Sequence, residues 1–148
     1  MAGQTPSLMA RAVGFLARRE HSRPELARKL ARHADDPLEV EAVLERLQQQ
    51  GLLSEARFAA SVMHRRAAGR GSALVLQELR QHGVSAAALE QAHEQMQATE
   101  LERAQAAWQK RFGVAPADAK DQARQMRFLA ARGFSTSIIR QVVPRHLG

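Results

Sequence analysis

Leu30, Leu79 and Leu129 stand 49 and 50 residues apart, and their surroundings recur with them. His33, His82 and Arg132 follow in step, each near the end of a helical segment. Asp36, Ser85 and Ser135 come next and can cap a following helix. Val40, Leu89 and Ile139, then Val43, Ala92 and Val142, give that helix its apolar face. One period thus carries an apolar stripe, a basic residue at a helix C-terminus, a turn, a cap and a second stripe. The basic residue is favoured there by the helix dipole, by ~0.3–1 kcal/mol. A helical period of this size points to stacked α-repeats, and three copies are near the minimum for stacking.

The capping signals place the helices. Ser22-Arg23-Pro24-Glu25 has the Ser-x-x-Glu form of a capping box, and Leu26 and Leu30 with the small Ala27 and Ala31 form the stripe behind it. Asp36 can cap the next helix, with Pro37 at the first helical position and Glu39 at the third. Val40, Val43, Leu44 and Leu47 are its buried face, and Gly51 can end it in a left-handed conformation. Leu53 before Ser54 and Phe58 after it have the spacing of a hydrophobic staple, repeated by Val84-Ser85 with Leu89 and by Phe134-Ser135 with Ile139. Gly83 and Gly133 precede the last two. Each unit also has a leading helix, expected at about 7–19 (Val13, Leu16, Ala17), 55–67 (Phe58, Val62) and 99–112 (Leu101, Ala104, Trp108), the last followed by a loop over 113–118. Nothing alternates like a strand. The expectation is an all-α, elongated and curved array, right- or left-turning, of three tandem three-helix repeats, about 7–51, 54–98 and 99–148, in a single repeat domain over 1–148.

Composition narrows the function. Hydrophobic residues make up 45% and aromatics 4%, so Leu, Val, Ala and Met must fill the core. The absence of cysteine excludes disulfides, thiol catalysis and Cys-ligated zinc, and fits a cytoplasmic protein. The N-terminal residues lack the features of a secretory signal, and no apolar run reaches the roughly 20 residues of a membrane span. The net charge of +7 is uneven: residues 1–50 hold 8 basic and 7 acidic groups, 51–100 hold 5 and 5, and 101–148 hold 9 and 3. A basic surface favours polyanions or acidic protein faces.

No catalytic constellation emerges. Gly69-Arg70-Gly71 lies between two helices and reads as a turn, not a phosphate-cradling loop. The six histidines lack metal-ligand spacing, and Asp35-Asp36 reads as a cap. Neither a metal nor a cofactor is expected, nor an enzyme. The basic residues are the binding candidates. Lys120, Arg124 and Arg127 fall at i, i+4 and i+7 on one helical face; Arg28 and Arg32 form a shorter version in the first repeat; Arg65, Arg66 and Arg70 cluster before the middle turn. Each can equally be a solvated helix face. Trp108 is either core or an interface anchor.

The same residues resemble a known family, the RecX regulatory proteins of bacteria. The similarity rests on Ser22-Arg23-Pro24-Glu25-Leu26 through Lys29-Leu30, Gly51-Leu52-Leu53-Ser54-Glu55-Ala56-Arg57-Phe58-Ala59, and Gly69-Arg70-Gly71 followed by Gln77-Glu78-Leu79-Arg80 and Gly83-Val84. Arg111-Phe112-Gly113, Phe128-Leu129, Arg132-Gly133-Phe134-Ser135 and Ile139-Arg140 complete it, over about residues 8–143. Ser72 stands where the family often has proline, and Ser54-Glu55 where it often has two acids; both keep turn and cap roles. The resemblance implies binding along the groove of the RecA recombinase filament and modulation, usually inhibition, of its ATPase, strand-exchange and co-protease activities. It also allows for direct contact with single- or double-stranded DNA. A monomer with no membrane association is expected. A second reading is a DNA-binding helical module independent of RecA, although Glu39, Glu41 and Glu45 on one helix suit a DNA groove poorly. A third is an adaptor for another partner.

Overall fold

The computed structural model describes residues 5–146, and all of their regular structure is helical. The helices are α1 (Leu8–Arg18), α2 (Arg23–Ala31), α3 (Pro37–Gln49), α4 (Glu55–Arg66), α5 (Ser72–Gln81), α6 (Ala86–Arg111), α7 (Ala119–Ala131) and α8 (Thr136–Val142). The chain divides into two compact units, Met1–Ser61 with His82–Val84, and Val62–Gln81 with Ser85–Gly148.

The expected caps form. Ser22 Oγ accepts from the Glu25 amide at 3.2 Å, Asp36 Oδ1 from Leu38 at 2.9 Å, Ser54 Oγ from Arg57 at 3.2 Å, Ser85 Oγ from Ala88 at 3.2 Å and Ser135 Oγ from Ile138 at 3.3 Å. These bonds satisfy amides that the first helical turn leaves without a partner, at ~1 kcal/mol each. The Ser22 box forms in one direction: the Glu25 carboxylate takes Arg19 instead, at 2.6 and 3.1 Å. A guanidinium offers two charge-assisted bonds where the Ser22 amide offers one neutral bond. Gly51, Gly83 and Gly133, which close the turns before the three staples, all have positive φ, the region that L side chains rarely enter.

In the first unit, α1, α2 and α3 pack around Ala12, Leu26, Leu30, Val40, Leu44, Leu47 and Leu53. The α2 and α3 stripes match the periodicity, apart from Ala31, which is exposed. The α1 stripe does not. Val13 is 41% exposed and Ala17 is exposed, whereas Ala12 is fully buried with Leu8, Met9, Phe15 and Leu16 against the same core. The helix is turned by about one residue from the expected face, which lets Phe15 bring its large apolar area inward.

In the second unit, α5 packs on α6, and α6 packs on α7 and α8. One core joins Ala104, Leu129, Phe134, Ile139, Val142 and Val143, with Leu101, Trp108, Met126 and Phe128 against it. The repeat-equivalent Leu79 and Leu129 are fully buried, as Leu30 is in the first unit. The helix expected at 99–112 is the C-terminal part of the 26-residue α6. Neither glycine nor proline occurs between Ser85 and Gly113, and Ala, Glu, Gln, Met and Leu, which favour helix, fill the span. Thr99, at the join, donates its hydroxyl to the Met96 carbonyl at 3.4 Å without breaking the helix. Trp108 resolves as core: its indole N–H donates to Gln125 Oε1 at 2.8 Å, and Gln125 is buried.

Candidate functional site

Arg28 lies on α2 and Arg32 caps its C-terminus; both are exposed in the first unit, and neither is in an ion pair among the described residues. Beside them is a buried polar cluster. His21 Nδ1 meets the Arg19 carbonyl at 3.0 Å, and its Nε2 meets Lys29 Nζ at 2.8 Å. Because the ammonium can only donate, Nε2 accepts and Nδ1–H donates, which fixes the neutral tautomer. Burial holds the His21 pKa below its usual value, and the charges of Arg19 and Lys29 add to that against the carbonyl's opposing pull. Hydrogen bonding to Arg19 holds the Glu25 carboxyl down to about 2. This cluster fixes the α1–α2 corner; with a lysine already on the imidazole, no proton-transfer role follows from it.

The remaining candidates belong to the second unit. Arg65 is exposed near the end of α4. Arg66 turns onto α5, with Nε 3.3 Å from Glu78 Oε2, so its charge is already answered. Arg70 is exposed in the turn between α4 and α5, and its carbonyl accepts from Arg103. Lys120, Arg124 and Arg127 are all exposed on α7, as their spacing requires. Arg124 is held by Asp121 at 2.8 Å and lies 5.1 Å from the Phe112 ring centroid. The Asp121 carboxyl is lowered by the Ala117 amide first and by Arg124 second. Lys120 and Arg127 have no ion pair among the described residues.

A second set of cations lies outside the candidates singled out from the sequence. Arg103, Lys110, Arg111 and Arg132 line a cavity of about 470 Å³ in the second unit, beside Gly69, Phe128 and three alanines. They come from α6 and from the C-terminus of α7. Arg111 lies 5.3 Å from the Phe112 centroid and 5.8 Å from that of Phe128, and Arg132 lies 5.0 Å from Phe128. The two rings meet edge to face at 5.4 Å. Arginine over an aromatic face contributes ~0.5–1 kcal/mol at an exposed site and restricts where the guanidinium can point. Two advance signals were present: residues 101–148 carry 9 basic and 3 acidic groups, and Arg103, Lys110 and Arg111 stand at i, i+7 and i+8.

Among the described residues, no group of three or more His, Cys, Asp or Glu could hold a metal ion. No described helix is long and apolar enough to cross a membrane. The surface offers cations on exposed helix faces and around one cavity, an arrangement suited to binding.

Comparisons with known proteins agree with the repeat order. Three family descriptions match in sequence: the RecX first three-helix domain over residues 9–47, the second over 54–92 and the third over 98–143. Regulatory protein RecX of Leptothrix cholodnii is 55% identical over 145 residues, 97% of this chain and 92% of that protein. Regulatory protein RecX of Ralstonia nicotianae is 50% identical over 140 residues, 95% of this chain and 88% of the relative. In fold, the crystal structure of RecX from Lactobacillus salivarius aligns with a TM-score of 0.78 at 17% identity, covering 91% of each chain. A second crystal structure of regulatory protein RecX aligns at 0.73 and 21% identity, over 96% of this chain and 81% of the other. With three helical domains matched in order and relatives of this identity along nearly the whole length, the chain belongs to the RecX family of regulatory proteins.

Proposed function

We propose that this protein binds the RecA recombinase filament and inhibits its ATPase, strand-exchange and co-protease activities. The observation that carries the reading is family membership over all three domains in order. The surface chemistry supports it. Arg28, Arg32, Arg65, Arg70, Lys120 and Arg127 are exposed without ion pairs among the described residues, and Arg66 and Arg124 have carboxylate partners that a stronger anion can replace. Acidic protein surface and DNA phosphates both answer such side chains. The mechanism we assign is steric and electrostatic: the helical units lodge across neighbouring protomers and restrain the motion linked to ATP hydrolysis. The protein acts in the cytoplasm as a non-enzymatic modulator, with consequences for recombination, DNA repair and the SOS response.

The test is RecA ATP hydrolysis on single-stranded DNA with increasing amounts of this protein. Dose-dependent inhibition is expected. Unchanged hydrolysis at stoichiometric excess sinks the reading. The alternative, a DNA-binding module acting without RecA, predicts binding to bare DNA that weakens steeply with salt and needs no recombinase.

A further inference from the structure

The cavity beside the Gly69–Gly71 turn gathers four cations and no carboxylate. Arg103, Lys110, Arg111 and Arg132 are in no ion pair among the described residues. Their mutual repulsion is therefore left to solvent and to whatever enters. Arg103 is the most committed of them. Its Nη2 donates to the Met96 carbonyl at 2.8 Å, its Nε to the Thr99 hydroxyl at 3.1 Å, and its Nη1 to the Arg70 carbonyl. All three acceptors are neutral, so the guanidinium is bonded but its charge is not balanced in contact; Glu100, one turn earlier on α6, acts on it only through space. A half-buried cation in this state raises the local positive potential over the cavity, and low-dielectric walls focus that field.

The rim is also pre-shaped. Arg111 and Arg132 are laid against Phe128, and Arg111 against Phe112. A guanidinium over a ring face keeps N–H groups that the ring does not use, and these can meet an oxyanion in a two-pronged bond. The volume falls within the ~300–1,000 Å³ of small-ligand sites. Apart from Phe128 the apolar lining is alanine, with little to grip a peptide side chain. One carboxylate would neutralise one of four charges, whereas a phosphate group carries up to about two charges at neutral pH on closely spaced oxygens.

We infer that this cavity is a binding site for phosphate groups, with Lys110, Arg111 and Arg132 as the contacting residues and Arg103 as a fixed charge beneath them. The ligand is a compact polyphosphate such as a nucleotide, which a cavity of this volume can hold. The inference does not rest on RecA binding and can fail or hold independently of it.

Calorimetric titration of the full-length protein, with inorganic tripolyphosphate in one arm and a (dT)12 oligonucleotide in the other, tests it. The variant Lys110→Gln/Arg132→Gln removes two rim charges. Arg18→Gln/Arg46→Gln removes two exposed charges of the first unit that are in no ion pair among the described residues. The rim variant should weaken tripolyphosphate by about tenfold or more, because charge-assisted bonds are lost; the control should stay within about twofold. Arg132→Lys, which keeps the charge but loses the fork, should fall between, and thermal melting by circular dichroism confirms that each variant is folded. An effect on tripolyphosphate supports the site, whereas an effect on the oligonucleotide alone overturns it in favour of a basic surface that meets nucleic acid. Failure of both ligands to bind, or equal weakening by both double variants, overturns the site in favour of a solvated basic surface.

Discussion

Gly71 makes the tightest backbone approach in the second unit. Its N–H donates to the Arg132 carbonyl at 2.7 Å. A Cβ built on Gly71 would lie 2.2 Å from both the carbonyl carbon and the oxygen of Gly133, and 2.4 Å from the Phe134 nitrogen. Those are backbone atoms, so no side chain can rotate away, and the α4–α5 turn must part from the α7–α8 turn by more than about 1 Å to restore contact distance. Parting them breaks the hydrogen bond, at about 1 kcal/mol, and adds overpacking strain of about 1–3 kcal/mol. Gly71→Ala should therefore cost about 2–4 kcal/mol, a fall in Tm on the order of 5–15 °C at ~2–4 °C per kcal/mol. Gly71 is not among the positive-φ glycines, so backbone conformation alone would favour alanine. Gly14→Ala is the matched control: inside α1, with nothing within 4 Å of its Cβ, it should stabilise by about 0.5–1 kcal/mol. Urea and thermal denaturation of both variants decide the matter. A Gly71→Ala protein melting within about 2 °C of wild type would refute the contact argument.

Three further outcomes follow from the same physical reasoning. The Glu25 carboxyl is depressed from 4.5 to about 2, so the stability it contributes is complete above pH 4.5 and is lost as pH falls through 2; Glu25→Gln should flatten that part of the Tm–pH curve, and an unchanged acid limb would contradict the pairing. His21 should titrate below 6.5 in an NMR experiment, and its neutral form should lend stability that is complete above pH 6.5 and declines as pH drops below it; titration at or above 6.5 would count against the buried neutral tautomer. Ser72 Oγ is buried with no hydrogen-bond partner among the described residues, so Ser72→Ala should raise stability by about 0.5–1 kcal/mol in urea unfolding, whereas a loss would mean that the hydroxyl has a partner.

The repeat skeleton was legible because its signals are local. A serine cap answers an amide three residues away, and Leu30, Leu79 and Leu129 each lie in a stripe of period 3.6, so one dimension of sequence suffices. The α1 face was misjudged because Ala12 and Val13 are neighbours and only tertiary packing decides which turns inward. Likewise α6 ran through its expected start: nothing near residue 98 breaks a helix, and a repeat pattern says nothing about continuity. On the surface, the α7 cations were found by helical spacing; Arg103, Lys110 and Arg111 share a face of α6, and Arg132 joins them only because α7 packs against α6. Arg66 looked like a free cation because its partner Glu78 lies on the next helix. Charge composition marked out the last third of the chain but could not group its members.

Direct binding to the recombinase filament is the measurement closest to the central claim. The chain contains no cysteine, so one introduced at an exposed position such as Glu39 carries a single fluorophore without competing thiols. Its anisotropy is then followed against preformed RecA filaments on single-stranded DNA, and against the same DNA without RecA, at equal salt. The account predicts a saturable rise with the filament at concentrations where bare DNA gives little change. No rise with the filament, or equal affinity for DNA alone, would contradict it.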